Sequence, residues 1–268
     1  MPNTSTETAP GQELQALVDD VYARCLPIDA GEVATYIPEL SKASPDDFGV
    51  CVTTADGRSF WAGTCDHPFT IQSISKPFTF GLAIEELGYD KVFQHVGVEP
   101  SGDAFNSIQL QGDTNRPFNP MINTGAITVT ALLHSIYGDQ TLDYLLDRFG
   151  ALAGRPLSVD EAVYQSERRT GHRNRAIAHL LLNFGVVHDQ AEAALDVYFK
   201  QCAILVTCRD LAMMAATLSN MGSHPLTGRS VFTVRYVKDI LAIMFTCGMY
   251  DYSGHWAYRV GVPAKSGV

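Results

Sequence analysis

The sequence has few of the features that mark membrane proteins and nucleic-acid-binding proteins. Its 268 residues include 19 lysines and arginines against 29 aspartates and glutamates, which gives a formal net charge of −10. Anionic membranes and phosphate backbones are bound by clustered basic side chains, so neither is expected as the main partner. No apolar stretch reaches the length of a bilayer-spanning helix, and the first residues show no basic region followed by an apolar run. We therefore expect a cytoplasmic protein that acts on a small molecule.

The cysteine pattern excludes the common metal and disulfide frameworks. The six cysteines form no C-x-x-C pair and show no zinc-like spacing with the eight histidines. They are expected to be buried, reduced thiols, and neither a metal nor an organic cofactor is expected. A content of 46% hydrophobic and 18% charged residues is typical of a globular protein with one or two domains.

The first quarter of the chain contains three segments with different sequence patterns. Residues 1–11 are polar and have the composition of a disordered tail. Apolar positions at helical spacing predict a surface helix over residues 13–25. The runs 48–54 and 58–62 are rich in β-branched and aromatic residues, and the Asp56-Gly57 pair between them predicts a tight turn. A β-hairpin is expected here.

In the middle of the chain apolar residues recur at helical spacing almost throughout. A pattern typical of a strand returns at residues 255–262. Helices are predicted over 71–87, 124–137, 139–149, 158–165, 172–184, 189–201, 208–220 and 230–246. A capping box is read at Ser158 and a helix cap at Thr207, while the glycines at positions 150, 185 and 222 are expected just past helix ends.

This distribution predicts an α/β (α+β) protein whose sheet is assembled from both ends of the chain. The sheet domain comprises residues 12–75 and 246–268, and a mainly helical domain of residues 76–245 is inserted between them. No internal repeat is present.

A nucleophile and a base stand three residues apart at a helix start, in Gln72-Ser-Ile-Ser-Lys-Pro77. Positions three apart share a helix face, so the Ser73 hydroxyl can meet the Lys76 amine. Serine needs a partner to take its proton, and a lysine whose pKa is depressed can do so. Ser-x-x-Lys also arises by chance about once in a few hundred residues, and a lone match is more often a capping serine with a solvated lysine.

A second motif, Lys265-Ser266-Gly267, follows the last strand-like run. A Lys-Ser/Thr-Gly triplet on a strand beside a Ser-x-x-Lys helix is the pairing of the penicillin-recognising enzymes. Their middle motif is missing, because neither Ser-Asp-Asn nor Tyr-x-Asn occurs in the sequence. Another group must complete the site.

The chain resembles the bacterial and mitochondrial glutaminases, which are serine-dependent and β-lactamase-like. The resemblance runs from about residue 30 to the last residue through long motifs in family order. These are Tyr36-Ile-Pro-Glu-Leu40, Gln72-Ser-Ile-Ser-Lys-Pro77, Glu99-Pro-Ser-Gly102, Asn119-Pro-Met-Ile-Asn-Thr-Gly-Ala-Ile127, Ser166-Glu-Arg-Arg-Thr-Gly171, Cys247-Gly-Met-Tyr-Asp-Tyr-Ser-Gly254 and Pro263-Ala-Lys-Ser-Gly-Val268.

The resemblance implies that Ser73 is the acylated nucleophile, Lys76 its activating neighbour and Tyr250 the proton relay. Tyr250 would need a lowered pKa, supplied by Lys76 and Lys265. The implied substrate-binding residues are Tyr36, Asn123, Glu167, Asn174, Tyr198 and Val268. Without the resemblance, Asn123 would be read as a turn or cap residue and Glu167 as a surface charge.

The implied activity is hydrolysis of L-glutamine to L-glutamate and ammonia by a homo-oligomer, a tetramer or dimer. Family members continue past the Lys-Ser-Gly-Val motif, so the C-terminal part of the β-lactamase-like fold is expected to be missing here. Two alternatives remain open at this point. The chain could be a truncated, weakly active or inactive glutaminase-like protein, in the extreme a non-catalytic interaction protein on the same scaffold. It could also be a penicillin-recognising serine hydrolase.

Overall fold

The computed structural model describes residues 10–102, 107–188 and 190–268. Over these ranges the protein is a helix-rich α and β structure with two small sheets. The tail predicted for residues 1–11 falls mostly outside the described residues, and the first helix begins within it, at Pro10. No helix in the described ranges is both long and apolar enough to cross a bilayer.

Eleven α-helices are present among the described residues. They are α1 (Pro10–Cys25), α2 (Ser75–Leu87), α3 (Tyr89–Phe93), α4 (Asn123–Tyr137), α5 (Thr141–Ala153), α6 (Glu161–Thr170), α7 (His172–Asn183), α8 (Ala191–Cys202), α9 (Cys208–Ser219), α10 (Val234–Cys247) and α11 (Ser253–Arg259). Single 3₁₀ turns cover Pro38–Lys42, Gln72–Ile74, Gly138–Gln140 and Tyr250–Tyr252.

The predicted hairpin is confirmed. Strands β1 (Gly49–Thr53) and β2 (Ser59–Gly63) pair antiparallel, with Gly49 opposite Gly63. Gly57 has a φ of +86°, a value that suits glycine, so the chain can reverse tightly. Helix α1 packs on both strands, as the apolar stripe predicts.

The second sheet joins two distant parts of the chain. Strands β3 (Phe69–Thr70) and β4 (Leu205–Val206) pair antiparallel, with Phe69 opposite Val206. The backbone N–H of Ile71 donates to Ile204 at 2.8 Å and extends this pairing by one residue. The turn that begins at Gln72 is thereby fixed beside the end of α8.

The strand predicted over 255–262 is wrong, because residues 253–259 form helix α11. The Ser253 hydroxyl accepts the Met249 N–H at 3.1 Å, and the Trp256 indole donates to the Val262 carbonyl at 2.8 Å. A run rich in aromatic residues favours a strand only where a neighbouring strand can pair with it. Here local hydrogen bonds stabilise a helix instead. Within the described residues, 246–268 contribute no strand, so the expected sheet from both chain ends is not formed there.

Two helix-end predictions also need correction, and one is confirmed. Helix α6 is capped by Asp160, whose carboxylate accepts the Val163 N–H at 3.0 Å, whereas the Ser158 carbonyl pairs with the strand residue Leu205. Helix α5 runs through Gly150 and ends before Gly154, whose φ is +78°. Thr207 caps α9 in a reciprocal capping box, as its position before the helix predicts.

The core consists of two hydrophobic clusters that share α4. The larger one packs α2 and α4 against α5, α9 and α10, and the smaller one packs α4 against α6, α7 and α8. Every residue of α2 from Ser75 to Ile84 is buried, and α4 is buried from Asn123 to Thr130. The N-terminal ends of these two central helices face one cavity.

Candidate active site

A cavity of about 250 Å³ lies at the N-terminal ends of α2 and α4. It brings together Ser73, Tyr250 and all six residues predicted to bind substrate, which are Tyr36, Asn123, Glu167, Asn174, Tyr198 and Val268. Ser266 and Gly267 of the Lys-Ser-Gly motif also line it, as do Gln72 and Cys202, which were not predicted as site residues. The groups meet although they come from positions more than 200 residues apart in the chain.

Lys76 lies beneath the cavity, in the first turn of α2, and is 1% exposed. Its Nζ donates to Asn123 Oδ1 at 2.7 Å and to the Tyr250 hydroxyl at 3.5 Å. Burial lowers the pKa of Lys76 from its ordinary 10.5 to about 8, while the nearby Cys202 and Glu167 raise it by less. An amine with this pKa is partly unprotonated near neutral pH, as a general base requires.

Tyr250 links the serine to both lysines. Its hydroxyl is a hydrogen-bond partner of Ser73 and accepts from Lys265 Nζ at 2.8 Å. The expectation of a lowered Tyr250 pKa is wrong, because burial raises this pKa by more than the Ser73 hydrogen bond lowers it. Burial also lowers the pKa of Lys265, and repulsion from Lys76 lowers it further. Both lysines therefore lose their proton more easily than an exposed lysine does. Tyr250 is a neutral phenol that can accept one proton while it donates another.

The turn that carries Ser73 is strained. Gln72 has a φ of +47° and is 2% exposed, and a non-glycine residue in this region costs on the order of 1–3 kcal/mol. Its side chain accepts from the Tyr36 hydroxyl and donates to Thr70 Oγ1, each at 3.0 Å. Nothing in the sequence marks Gln72 as strained, because the restraint comes from side chains distant in the chain.

Polar groups suited to an amino acid line the wall formed by α4, α6, α7 and α8. Asn123 Nδ2 donates to Asn174 Oδ1 at 3.0 Å, and Asn174 Nδ2 donates to Glu167 Oε1 at 3.4 Å. The Tyr198 hydroxyl donates to Asn123 Oδ1 at 3.5 Å. These side chains form one connected network that ends at the Glu167 carboxyl group.

Glu167 has the least satisfied polar group of the cavity. Its Oε2 is buried and has no hydrogen-bond partner among the described residues. Burial raises the pKa of Glu167 to about 8, against smaller lowering effects from Lys76 and Asn174. An unpartnered buried carboxylate oxygen is costly, and a ligand that brings a cation would remove this cost.

The Lys265-Ser-Gly motif is held against the nucleophile turn without being a strand. The Ser266 N–H donates to the Gly248 carbonyl at 3.2 Å, which ties the motif to the end of α10. A Cβ on Gly267 would lie 2.8 Å from Ile74 Cγ1, so a larger residue there would have to displace the Ile74 side chain. Val268 lines the cavity and is 61% exposed.

The cysteines are not paired in disulfides. All six cysteines are free thiols, and Cys65, Cys202 and Cys247 are buried. Burial raises the pKa of Cys202, which makes it an inert thiol at the cavity wall. In residues 10–102, 107–188 and 190–268 no group of His, Cys, Asp and Glu is arranged to hold a metal ion.

The cavity therefore combines a serine with polar groups that match a small zwitterion, and a lysine with a lowered pKa lies beneath it. A hydrolase of small amides needs these groups. Comparison with known proteins identifies the family of hydrolases. The glutaminase family profile matches residues 31–268. A glutaminase of Trichormus variabilis is 51% identical over 255 residues, covering 95% of this chain and 76% of the relative. The chain belongs to the glutaminase family.

Solved structures agree with this assignment. The probable glutaminase YbaS matches with a TM-score of 0.93 at 38% identity, over 97% of this chain and 84% of that one. Mglu in its glutamate form matches with a TM-score of 0.89 at 41% identity, over 95% of this chain and 59% of that one. The coverage differs among relatives, since the chain spans only 41% of glutaminase 2 of Bradyrhizobium diazoefficiens, with 52% identity over 255 residues.

Proposed function

We propose that this protein hydrolyses the side-chain amide of L-glutamine to L-glutamate and ammonia through an acyl-enzyme on Ser73. The observation that carries the proposal is the arrangement of three groups in and directly beneath one cavity. These are the Ser73 hydroxyl, the buried Lys76 amine with a pKa of about 8, and the unpartnered carboxylate oxygen of Glu167. A nucleophile, a base and an anchor for an amino-acid ammonium are the parts this reaction needs.

The chemistry follows the hydrogen-bond order of the site. Ser73 Oγ attacks the amide carbon, its proton moves to Tyr250, and Tyr250 passes its own proton to Lys76. Collapse of the tetrahedral intermediate breaks the C–N bond, and the proton returns along the same path to the departing nitrogen, which leaves as ammonia. Water then attacks the ester by the reverse route and releases glutamate.

The negative charge of the intermediate requires donors at the attacked oxygen. We assign these to the backbone N–H groups of Ser73 and Val268, which both line the cavity. The 3₁₀ turn of Ser73 leads directly into the N-terminus of α2, whose dipole also favours an anion there. Loss of one such donor lowers a rate by about a hundredfold or more.

Substrate orientation rests on the connected polar wall. The glutamine ammonium pairs with Glu167, and this pairing lowers the carboxyl pKa so that the group is ionised in the complex. The α-carboxylate accepts from Asn174, Asn123 and the Tyr198 hydroxyl, which are donors once they turn from their mutual contacts. Tyr36 closes the cavity over Gln72.

The finer architecture is part of the same proposal. The order of the Ser-x-x-Lys and Lys-Ser-Gly motifs supports a β-lactamase-like arrangement with residues 76–245 as a helical insertion between 12–75 and 246–268. A homo-oligomer, dimer or tetramer, is proposed with it. Light scattering coupled to size exclusion tests the assembly, and a single monomeric species at micromolar concentration would contradict it.

The direct test of the activity compares ammonia release from L-glutamine by the wild type and Ser73→Ala. Ser44→Ala, which changes an exposed serine outside the cavity, is the matched control and retains the wild-type rate. We expect Ser73→Ala to release ammonia only at background level. Equal release by the wild type and Ser73→Ala contradicts the proposal, and turnover of a chromogenic β-lactam in place of glutamine would favour the penicillin-recognising alternative.

A further inference from the structure

A chain of buried polar side chains, none of them among the residues that line the cavity, is hydrogen-bonded to the nucleophile turn. It consists of Thr130 on α4, Gln201 on α8 and Ser75 at the start of α2, each 0% exposed. Gln201 Nε2 donates to Ser75 Oγ at 3.0 Å. The Thr130 hydroxyl shares its single proton between Gln201 Oε1 at 3.1 Å and the Ala126 carbonyl at 3.0 Å. An amide side chain with no exposed surface is retained only where its partners are fixed.

The chain ends on the backbone of the strained residue. Ser75 Oγ donates to the Gln72 carbonyl at 2.7 Å, and the Ser75 N–H is shared between the carbonyls of Gln72 and Ser73. A hydroxyl has one proton, so Ser75 Oγ must accept from Gln201 while it donates to Gln72. The Gln201 amide therefore fixes the direction in which the Ser75 hydroxyl points.

We infer that Gln201 is a positioning residue for the nucleophile, acting through Ser75 on the Gln72–Ser73 turn. The positive φ of Gln72 persists only where surrounding contacts determine it, and the side-chain contacts to Tyr36 and Thr70 hold the cavity side of the turn. Gln201 and Ser75 hold the backbone of the turn through the Gln72 carbonyl. Without them the turn can relax toward ordinary backbone angles and carry the Ser73 hydroxyl away from Tyr250.

Helix α8 thus supports the site at two points. Tyr198 lies on its cavity face and contacts Asn123, and Gln201, three residues later, lies beneath the nucleophile turn. Because both residues sit on one rigid helix, the distance between the substrate-binding wall and Ser73 is set by α8. This inference rests on the proposed role of Ser73 as nucleophile.

The test measures how fast Ser73 is labelled by a fluorophosphonate, followed by intact mass, in Gln201→Met, Ser75→Ala and the double variant. Methionine keeps the volume and helix preference of glutamine and removes both hydrogen bonds. We expect each single variant to be labelled about five- to tenfold more slowly, the effect of one lost hydrogen bond. The double variant should be no slower than either single variant, since all three break the same path. The kcat for glutamine should fall in parallel, with KM within about twofold.

Thr217→Val is the matched control for a purely structural effect. Thr217 is also 0% exposed and donates to Met213 O within α9, away from the cavity. Its substitution should lower the urea midpoint and leave the labelling rate at the wild-type value. If Gln201→Met also lowers the urea midpoint and leaves the labelling rate at the wild-type value, the inference is overturned. Additive effects of Gln201→Met and Ser75→Ala on the labelling rate overturn it as well. If Gln201→Met does not fold, Ser75→Ala decides alone, and a wild-type labelling rate overturns the inference.

The labelling assay also separates this inference from the proposed function. A wild type that is labelled at Ser73 but releases no ammonia from glutamine contradicts the proposed function, while the variant rates still decide the role of Gln201. A wild type that is not labelled at Ser73 overturns the positioning role directly.

Discussion

The pH dependence of Ser73 reactivity follows from the burial of Lys76. The base must be neutral to take a proton, and burial places its pKa at about 8 in place of 10.5. At pH 7 about one amine in ten is then neutral, roughly 300-fold more than for an ordinary lysine. Because the folded pKa is depressed, the reactive form is gained as the pH rises through 8. Below pH 8 the rate should fall about tenfold per pH unit.

The assay is the second-order rate of Ser73 labelling by a neutral fluorophosphonate from pH 6 to 10. A neutral probe avoids the titration of glutamine itself. Glu167 also has a pKa of about 8, so the midpoint must be assigned with Glu167→Gln. Glu167 raises the pKa of Lys76 by charge attraction, and its removal should move the midpoint to lower pH. A flat profile, or a midpoint that disappears in Glu167→Gln, would refute Lys76 as the base.

Three further predictions concern single residues. Glu167→Gln should raise the KM for glutamine about 10- to 100-fold in steady-state assays with a small change in kcat, because it removes a charged hydrogen bond; an unchanged KM would contradict the anchor. Tyr250→Phe should lower kcat by about 10²–10⁴ while KM stays near the wild-type value, because the relay hydroxyl is lost; a wild-type kcat would exclude the relay. Thr207→Ala should lower the free energy of unfolding by about 1 kcal/mol in urea titrations, since it removes the α9 cap; an unchanged midpoint would show that the cap does not stabilise the fold.

Local patterns in the sequence predicted the elements that depend on neighbours in the chain. The hairpin around Gly57 and the cap at Thr207 need only nearby residues, and both are present. The segment 255–262 was predicted as a strand because its aromatic texture does not reveal whether a partner strand lies beside it. Gly150 was predicted just past a helix end, yet α5 continues to Ala153 and Gly154 follows its last residue.

The candidate site, like the fold, could be predicted from the sequence only in part. The Ser73 and Lys76 spacing is visible in the sequence, and the motif resemblance supplied Tyr250 and the polar wall. The pKa of Tyr250 could not be predicted, because it depends on how deeply the phenol and the two lysines are buried together. Gln72 and Gln201 were missed for the same reason, since their partners lie 36 and 126 residues away in the chain.

The most direct test of the central claim is the mass of the enzyme quenched in acid during turnover of L-glutamine. The account predicts a fraction of the protein that carries one γ-glutamyl group, and peptide mapping should place it on Ser73. Ser73→Ala should carry none. Ammonia release with no adduct in rapidly quenched samples, or an adduct on a residue other than Ser73, would contradict the account.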